Sequence, residues 1–268
     1  MSNQNKKSGG IAWTDETWNP IRGCSRVSPG CINCYAEKIA GRFCGNGQPY
    51  EGIAINTSKG ARWTSKVALT EEHLNDPIRG TRPRDIFVNS MSDLFHENLS
   101  YEEIKKIFSV MSCSSQHTFQ ILTKRAERLE EFGKKLFEEG FWRSNIWMGV
   151  SVENKDYLYR LEHLKNTPAM NKFVSFEPLL NRLGDIKKYL NGIDWVIIGG
   201  ESGPDARICD ISWITEIVEQ CQELKVSCFV KQMGQKAVNN GTPVKFVHFK
   251  GGNPEEWPEN LKIREMPK

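Results

Sequence analysis

The stretch "IWMGVSVENKDYLYRLEHL" (residues 146–164) sets how the rest of the chain is read. It opens on a run of Ile, Trp, Met and Val and reaches Glu153 and Asn154. The period then changes, and Tyr157, Leu158, Leu161 and Leu164 recur at helical spacing. A strand, a polar turn and an amphipathic helix make one βα unit. The same succession recurs outward in both directions, through the runs "DIFVNSMSD" (85–93), "TFQILTKR" (118–125), "KFVSFEPLL" (172–180), "WVIIGGESG" (195–203) and "SCFVKQMG" (227–234). Ser100 and Glu103 form a capping box ahead of a helix face of Ile104, Ile107, Phe108 and Met111. Ile214, Ile217, Val218, Cys221 and Leu224 line another before the last run. With a first strand around Trp18 to Ile21, seven strands alternate with helices. The pattern predicts α/β architecture with right-handed crossovers, a partial (β/α) barrel of about six to seven parallel strands over residues 11–234. An open doubly wound sheet is the rival.

Two segments interrupt the alternation. Residues 45–84 form a long Gly-, Pro- and charge-rich insertion containing Trp63, and residues 235–268 form an extension expected to pack on or cap the barrel. Residues 1–10, "MSNQNKKSGG", read as a disordered lead-in and not as a secretory signal. No apolar run approaches the ~18 residues of a membrane helix, so no membrane partner is expected. Hydrophobic residues at 38% and charged residues at 26% of 268 fit a globular chain with a sizeable core. A net charge of +3 permits a nucleic-acid partner without predicting it.

Parallel strands bring their C-terminal ends to one edge, where α/β proteins build sites. Those ends carry Ser90, Ser92 and Asp93; Thr123, Lys124 and Arg125; Ser151 and Glu153; Glu177; Glu201; and Lys231. The glycines of "GGESG" (199–203) allow a close backbone approach, while the stretch lacks the spacing of a dinucleotide fingerprint or a P-loop.

Eight cysteines in a chain without an export signal imply a reducing, cytoplasmic setting. Cys113, Cys221 and Cys228 fall in apolar patterns and read as small core residues. Cys24, Cys31 and Cys34 are different, being clustered between glycine and proline in "GCSRVSPGCINCYAEK" (23–38). Structural zinc takes four protein ligands. If residues 31–44 form one helix, Cys44 lies ~15 Å from Cys34 along its axis and cannot be the fourth. A four-iron cluster held by three thiolates would keep one iron open, whereas storage ferredoxins supply four cysteines. A zinc- or cluster-stapled binding module without catalysis stays open as the alternative, as does a partner that activates another protein.

The C-x6-C-x2-C-Y loop after a first strand resembles the radical S-adenosylmethionine (SAM) superfamily, with an enlarged first gap. The chain from "IAWTDETWNP" to "EWPENLKIREMP" is similar to a largely uncharacterised phage- and prophage-encoded branch of it, through "FVNSMSDLFHE", "ILTKRAERL", "WMGVSVEN", "FVSFEPLL" and "WVIIGGESGPDAR". "SMSD" and "LTKR" also resemble stretches of spore photoproduct lyase. The resemblance implies a [4Fe-4S] cluster on Cys24, Cys31 and Cys34 that binds SAM at its open iron. It implies reductive cleavage to a 5′-deoxyadenosyl radical that removes a hydrogen atom from substrate. Lys124 would take the SAM carboxylate, Ser90, Ser92 and Asp93 its amine or ribose, and Tyr35 would pack near the adenine or the cluster. Glu153, Glu177 and Glu201 complete the expected cofactor-binding set, Glu201 through a ribose or amine. Cys209 would be a hydrogen donor. A nucleobase or nucleoside in DNA or RNA is the implied substrate, and a flavodoxin or ferredoxin the implied electron donor.

Overall fold

The computed structural model describes residues 10–267, so the expected lead-in lies outside the described residues except for Gly10. The chain divides into two compact units. One runs to Met148 and includes Thr167–Met170; the other takes Gly149–Asn166 and the chain from Asn171 onward.

Seven strands form the principal sheet: β1 (Glu16–Trp18), β2 (Asp85–Val88), β3 (Thr118–Thr123), β4 (Ile146–Ser151), β5 (Lys172–Phe176), β6 (Trp195–Gly199) and β7 (Ser227–Gln232). Their spatial order is their chain order, all parallel. An order that never reverses has no switch point of the kind a doubly wound sheet carries. The sheet is a curled, open half-barrel, which rules out the rival arrangement. Its strands are the β-branched and aromatic runs read from the sequence, and β6 is buried along its whole length, as a strand covered on both faces must be.

The helices are α1 (Tyr35–Ala40), α2 (Tyr101–Cys113), α3 (Ala126–Glu138), α4 (Tyr159–Lys165) and α5 (Ile211–Leu224), with a few single turns between them. At the start of α2 the Ser100 hydroxyl accepts from the Glu103 N–H at 3.3 Å, and the Glu103 carboxylate accepts from the Ser100 N–H at 2.8 Å. Ile104, Ile107, Phe108 and Met111 are buried beneath it. Ser100→Ala is expected to cost ~1 kcal/mol, read as a lower urea midpoint with an unchanged slope. In α5 the Asp210 carboxylate caps the Ser212 N–H at 2.9 Å.

Four details depart from the sequence reading. The first strand stops at Trp18, because Pro20 has no N–H to continue a ladder. Ile21–Arg22 pairs instead with Ala68–Leu69. The helix after the cysteine loop begins at Tyr35, since Cys34 is extended at ψ 125° and Pro29–Cys31 forms a separate 3-10 turn. The insertion carries its own antiparallel hairpin, Ala54–Thr57 with Gly60–Trp63, then the single-turn helices Glu71–Leu74 and Asp76–Arg79. Cys113 is exposed. It sits two residues past Met111, which turns it ~200° around the helix and away from the apolar face. Cys221 and Cys228 are buried as expected.

In the second unit, residues 236–239 of the extension pair with Ile208–Asp210 and with Thr242–Pro243 in a three-stranded sheet. Farther on, Arg264 bridges to Phe229 of β7, with Val230 donating to the Ile263 carbonyl at 2.8 Å.

Candidate metal and cofactor site

The first unit holds the cysteine loop. β1 leads through Asn19 and Pro20 to Gly23, which bridges to Ser92, so the loop begins beside the segment that follows β2. Two ion pairs then fix its course. Arg26, between Cys24 and Cys31, donates from Nε to both oxygens of Glu37 on α1, at 3.3 and 3.1 Å, and from Nη2 to the Ile32 carbonyl at 3.1 Å. Glu37 is 2% exposed and also accepts from the Trp63 N–H at 3.0 Å, tying loop, helix and insertion hairpin together.

The second pairing centres on Arg125, at the end of β3. Its Nη1 lies 3.0 Å from Asp93, its Nε 2.6 Å from Glu97, and its Nη2 2.7 Å from the Ser25 hydroxyl. Nη1 also reaches the Cys24 sulfur at 3.9 Å. Ser25 donates to Glu97 at 2.8 Å and meets the buried His96 Nε2 at 3.0 Å. Because His96 Nδ1 accepts from the Asn98 N–H, Nε2 carries the proton and donates to Ser25. Asp93 further accepts from Thr123 Oγ1 at 2.6 Å and from the Phe95 N–H at 3.0 Å.

The three thiols lie within electrostatic reach of one another. Burial pushes the Cys24 thiol up to about 12; neighbouring Asp93 adds to that and Arg125 opposes it. Burial also raises Cys34, and the backbone N–H groups of Glu37 and Ala36, pointing at its sulfur from the first turn of α1, pull it back down. Lys124 acts on Cys34 in the same downward sense. Among the described residues no three His, Cys, Asp or Glu side chains close on a point that would hold a single metal ion. Cys44 belongs elsewhere. It packs with Tyr50, Ala40 and Ala54, and its sulfur faces the Gly41 carbonyl at 3.3 Å.

The other expected residues of this unit fall around the loop. The Tyr35 hydroxyl donates to the Ser90 carbonyl at 2.7 Å while its ring is half exposed. Ser90 donates to Asn19 Oδ1, and Ser92 to the Ile21 carbonyl, each at 3.0 Å. The hydroxyls of Ser90 and Ser92, like the Asp93 carboxylate, are therefore engaged by protein. The Lys124 ammonium, among the described residues, makes no hydrogen bond or ion pair. Arg26, Glu37 and Glu97 were not expected here. Arg26 and Glu37 are visible in sequence only as loop and helix charges, and Glu97 pairs across the fold.

In the second unit each expected carboxylate already has a cation. Glu153 is fully buried 3.0 Å from Arg160, which also donates to the Ser151 carbonyl at 2.8 Å. Glu177 faces Lys231 at 3.1 Å. Glu201 is clasped by Arg207, whose Nε lies 2.9 Å and Nη2 2.5 Å from its oxygens. The glycines before it are needed for protein packing. A Cβ on Gly199 would lie 2.4 Å from Glu177 Oε1, and one on Gly200 would lie 2.3 Å from the Met233 carbonyl. Cys209 is 1% exposed and its thiol is pushed up to about 12, by burial first and then by Asp210.

No helix among the described residues is long and apolar enough to cross a membrane. No curated protein and no solved structure matches the chain. A family model described as "Protein of unknown function (DUF5131)" matches residues 8–258. The cysteine loop, both ion-pair clusters and the seven-stranded sheet all lie inside that span, and the chain belongs to the DUF5131 family.

Proposed function

We propose that the chain is a cytoplasmic radical SAM enzyme that holds a [4Fe-4S] cluster on Cys24, Cys31 and Cys34. The observation that carries this reading is the donor set: three thiols in mutual electrostatic reach on the loop that follows the first strand of a half-barrel. The chemistry of that set fits a thiolate-held cluster, since liganded thiolates shed the proton that burial otherwise favours. Bound there, such a cluster would supply one-electron reduction of SAM, chemistry that belongs to the cofactors and not to the chain.

The chain's own residues do the rest. Arg26–Glu37 and the Arg125 cluster fix the loop so that its sulfurs are held in place before loading. Lys124, the unspent cation beside Cys34, would take the SAM carboxylate. The exposed face of Tyr35 offers a ring to the adenine. Asp93, Ser90 and Ser92 act as supports that position β2, β3 and α1 around the cofactor. Glu153, Glu177, Glu201 and Cys209 enter this reading as parts of the scaffold. A nucleobase or nucleoside in DNA or RNA is the substrate class and a flavodoxin- or ferredoxin-type protein the reductant, both resting on the family resemblance.

The test is low-temperature EPR of anaerobically purified, reduced protein with and without SAM, alongside iron and zinc assays. A four-iron signal that changes on adding SAM, disappears in Cys31→Ala and persists in Cys44→Ala is expected. Stoichiometric zinc, with no cluster after reconstitution, would overturn the proposal and leave a stapled binding module.

A further inference from the structure

A cavity of about 390 Å³ opens in the first unit beside β1, and none of the three loop cysteines lines it. Its volume lies in the range of small-molecule sites, ~300–1,000 Å³. Trp18, Asn19 and Arg22 line it, together with Tyr50, His73 and Asp76 from the insertion. The Trp18 indole N–H donates to the His73 carbonyl at 2.7 Å, so the insertion is tied down over the edge strand.

Most charged groups at the cavity are already matched. Glu16 pairs with Arg84, and His73 Nδ1 lies 3.0 Å from Asp76. Three donors have capacity to spare. Asn19 Oδ1 accepts from the Ser90 hydroxyl at 3.0 Å and the Met91 N–H at 3.1 Å, which fixes the amide and leaves its Nδ2 unspent. Arg22 touches a single acid, the exposed Glu72, through one nitrogen at 3.4 Å. The Tyr50 hydroxyl makes no hydrogen bond among the described residues. Burial raises its pKa and the Arg22 guanidinium, which lines the same cavity, opposes that.

An amide N–H, a guanidinium fork and a phenol on one cavity match an oxyanion, and aromatic walls match a flat apolar body. We propose that this cavity binds a small aromatic or heterocyclic oxyanion, a carboxylate or phosphate monoester. Arg22, Asn19 Nδ2 and the Tyr50 hydroxyl hold its charged oxygens, and Trp18 backs its ring. The site is separate from the cysteine loop yet connected to it. Asn19 grips Ser90, and the Ser90 carbonyl accepts from Tyr35, the residue after Cys34.

The experiment needs neither cluster nor turnover. Isothermal titration of the full chain uses inorganic phosphate, benzoate and uridine 5′-monophosphate, with benzamide and uridine as uncharged controls. Benzoate or the nucleotide is expected to bind with a Kd below ~1 mM. Its uncharged control should bind at least ~10-fold more weakly, the difference expected of one lost charge-assisted contact. Whichever of the two binds tighter identifies the source of the oxyanion. Arg22→Gln should weaken binding ~10-fold and Tyr50→Phe several-fold, both with unchanged circular dichroism. Absence of binding by all three anions would overturn the site. So would equal binding of the uncharged controls, or undiminished affinity in both folded variants.

Discussion

Arg125→Ala is expected to lower the stability of the first unit by ~3 kcal/mol, toward the lower end of the ~3–5 kcal/mol for breaking a buried pair. The guanidinium is 8% exposed and so is the Asp93 it faces. Removing it leaves that carboxylate buried without its cation. The loss stays at the low end because Asp93 keeps Thr123 Oγ1 and the Phe95 and Lys124 N–H groups. Arg125→Lys keeps the charge but not the fork that spans Asp93, Glu97 and Ser25, so it should fall between wild type and alanine. Asp93→Asn combined with Arg125→Ala should cost less than the two single losses added together. Urea denaturation of the wild type and these four variants measures this. A loss under ~1 kcal/mol in Arg125→Ala would mean the pairing contributes no more than a surface one.

The second large effect belongs to the other unit. Glu153→Ala strands Arg160 as an unpaired buried cation, and a loss of ~3–5 kcal/mol is expected. For a chain of this size that lowers Tm by roughly 10 °C, at ~2–4 °C per kcal/mol. Replacing both partners, Glu153→Leu with Arg160→Met, should recover most of it, because no charge is then left buried. Thermal melts of the single and double variants decide between two roles for Glu153. A carboxylate serving the fold through Arg160 gives the drop and the recovery. A carboxylate held ready for a cofactor gives little change in Tm in the cofactor-free protein.

The parts of this fold that were legible in sequence are those set by local physics. β6 was plain because an uninterrupted Trp-Val-Ile-Ile run has one favourable fate, and α2 because Ser100 and Glu103 announce its first turn. The three loop cysteines stood out by spacing. What stayed hidden depends on pairing across the chain. Nothing near Arg125 in sequence names Ser25 or Glu97 as its partners. The two- to four-residue strands of the insertion are too short to show a period. The "GGE" glycines looked like room for a ligand, and the room is taken by Glu177 and the Met233 carbonyl. The Cys34 break was masked because apolar spacing runs on through two separate turns.

The chain-ordered sheet also bears on how the molecule reaches its native state. Each pairing from β2 onward joins strands linked by one short crossover, whereas β1 meets β2 only after residues 19–84 have been gathered in. Loop-closure entropy makes that encounter the slowest to be rewarded. During synthesis the first strand leaves the ribosome early and waits for its neighbour, with the thiol-bearing loop attached to it. In refolding of the full-length chain the amides of β2 and β3 are therefore expected to gain exchange protection before those of β1, and the cysteine loop to settle together with β1. The cluster proposed for this loop would then be loaded onto thiols whose flanking strand docks after β2 and β3 have paired.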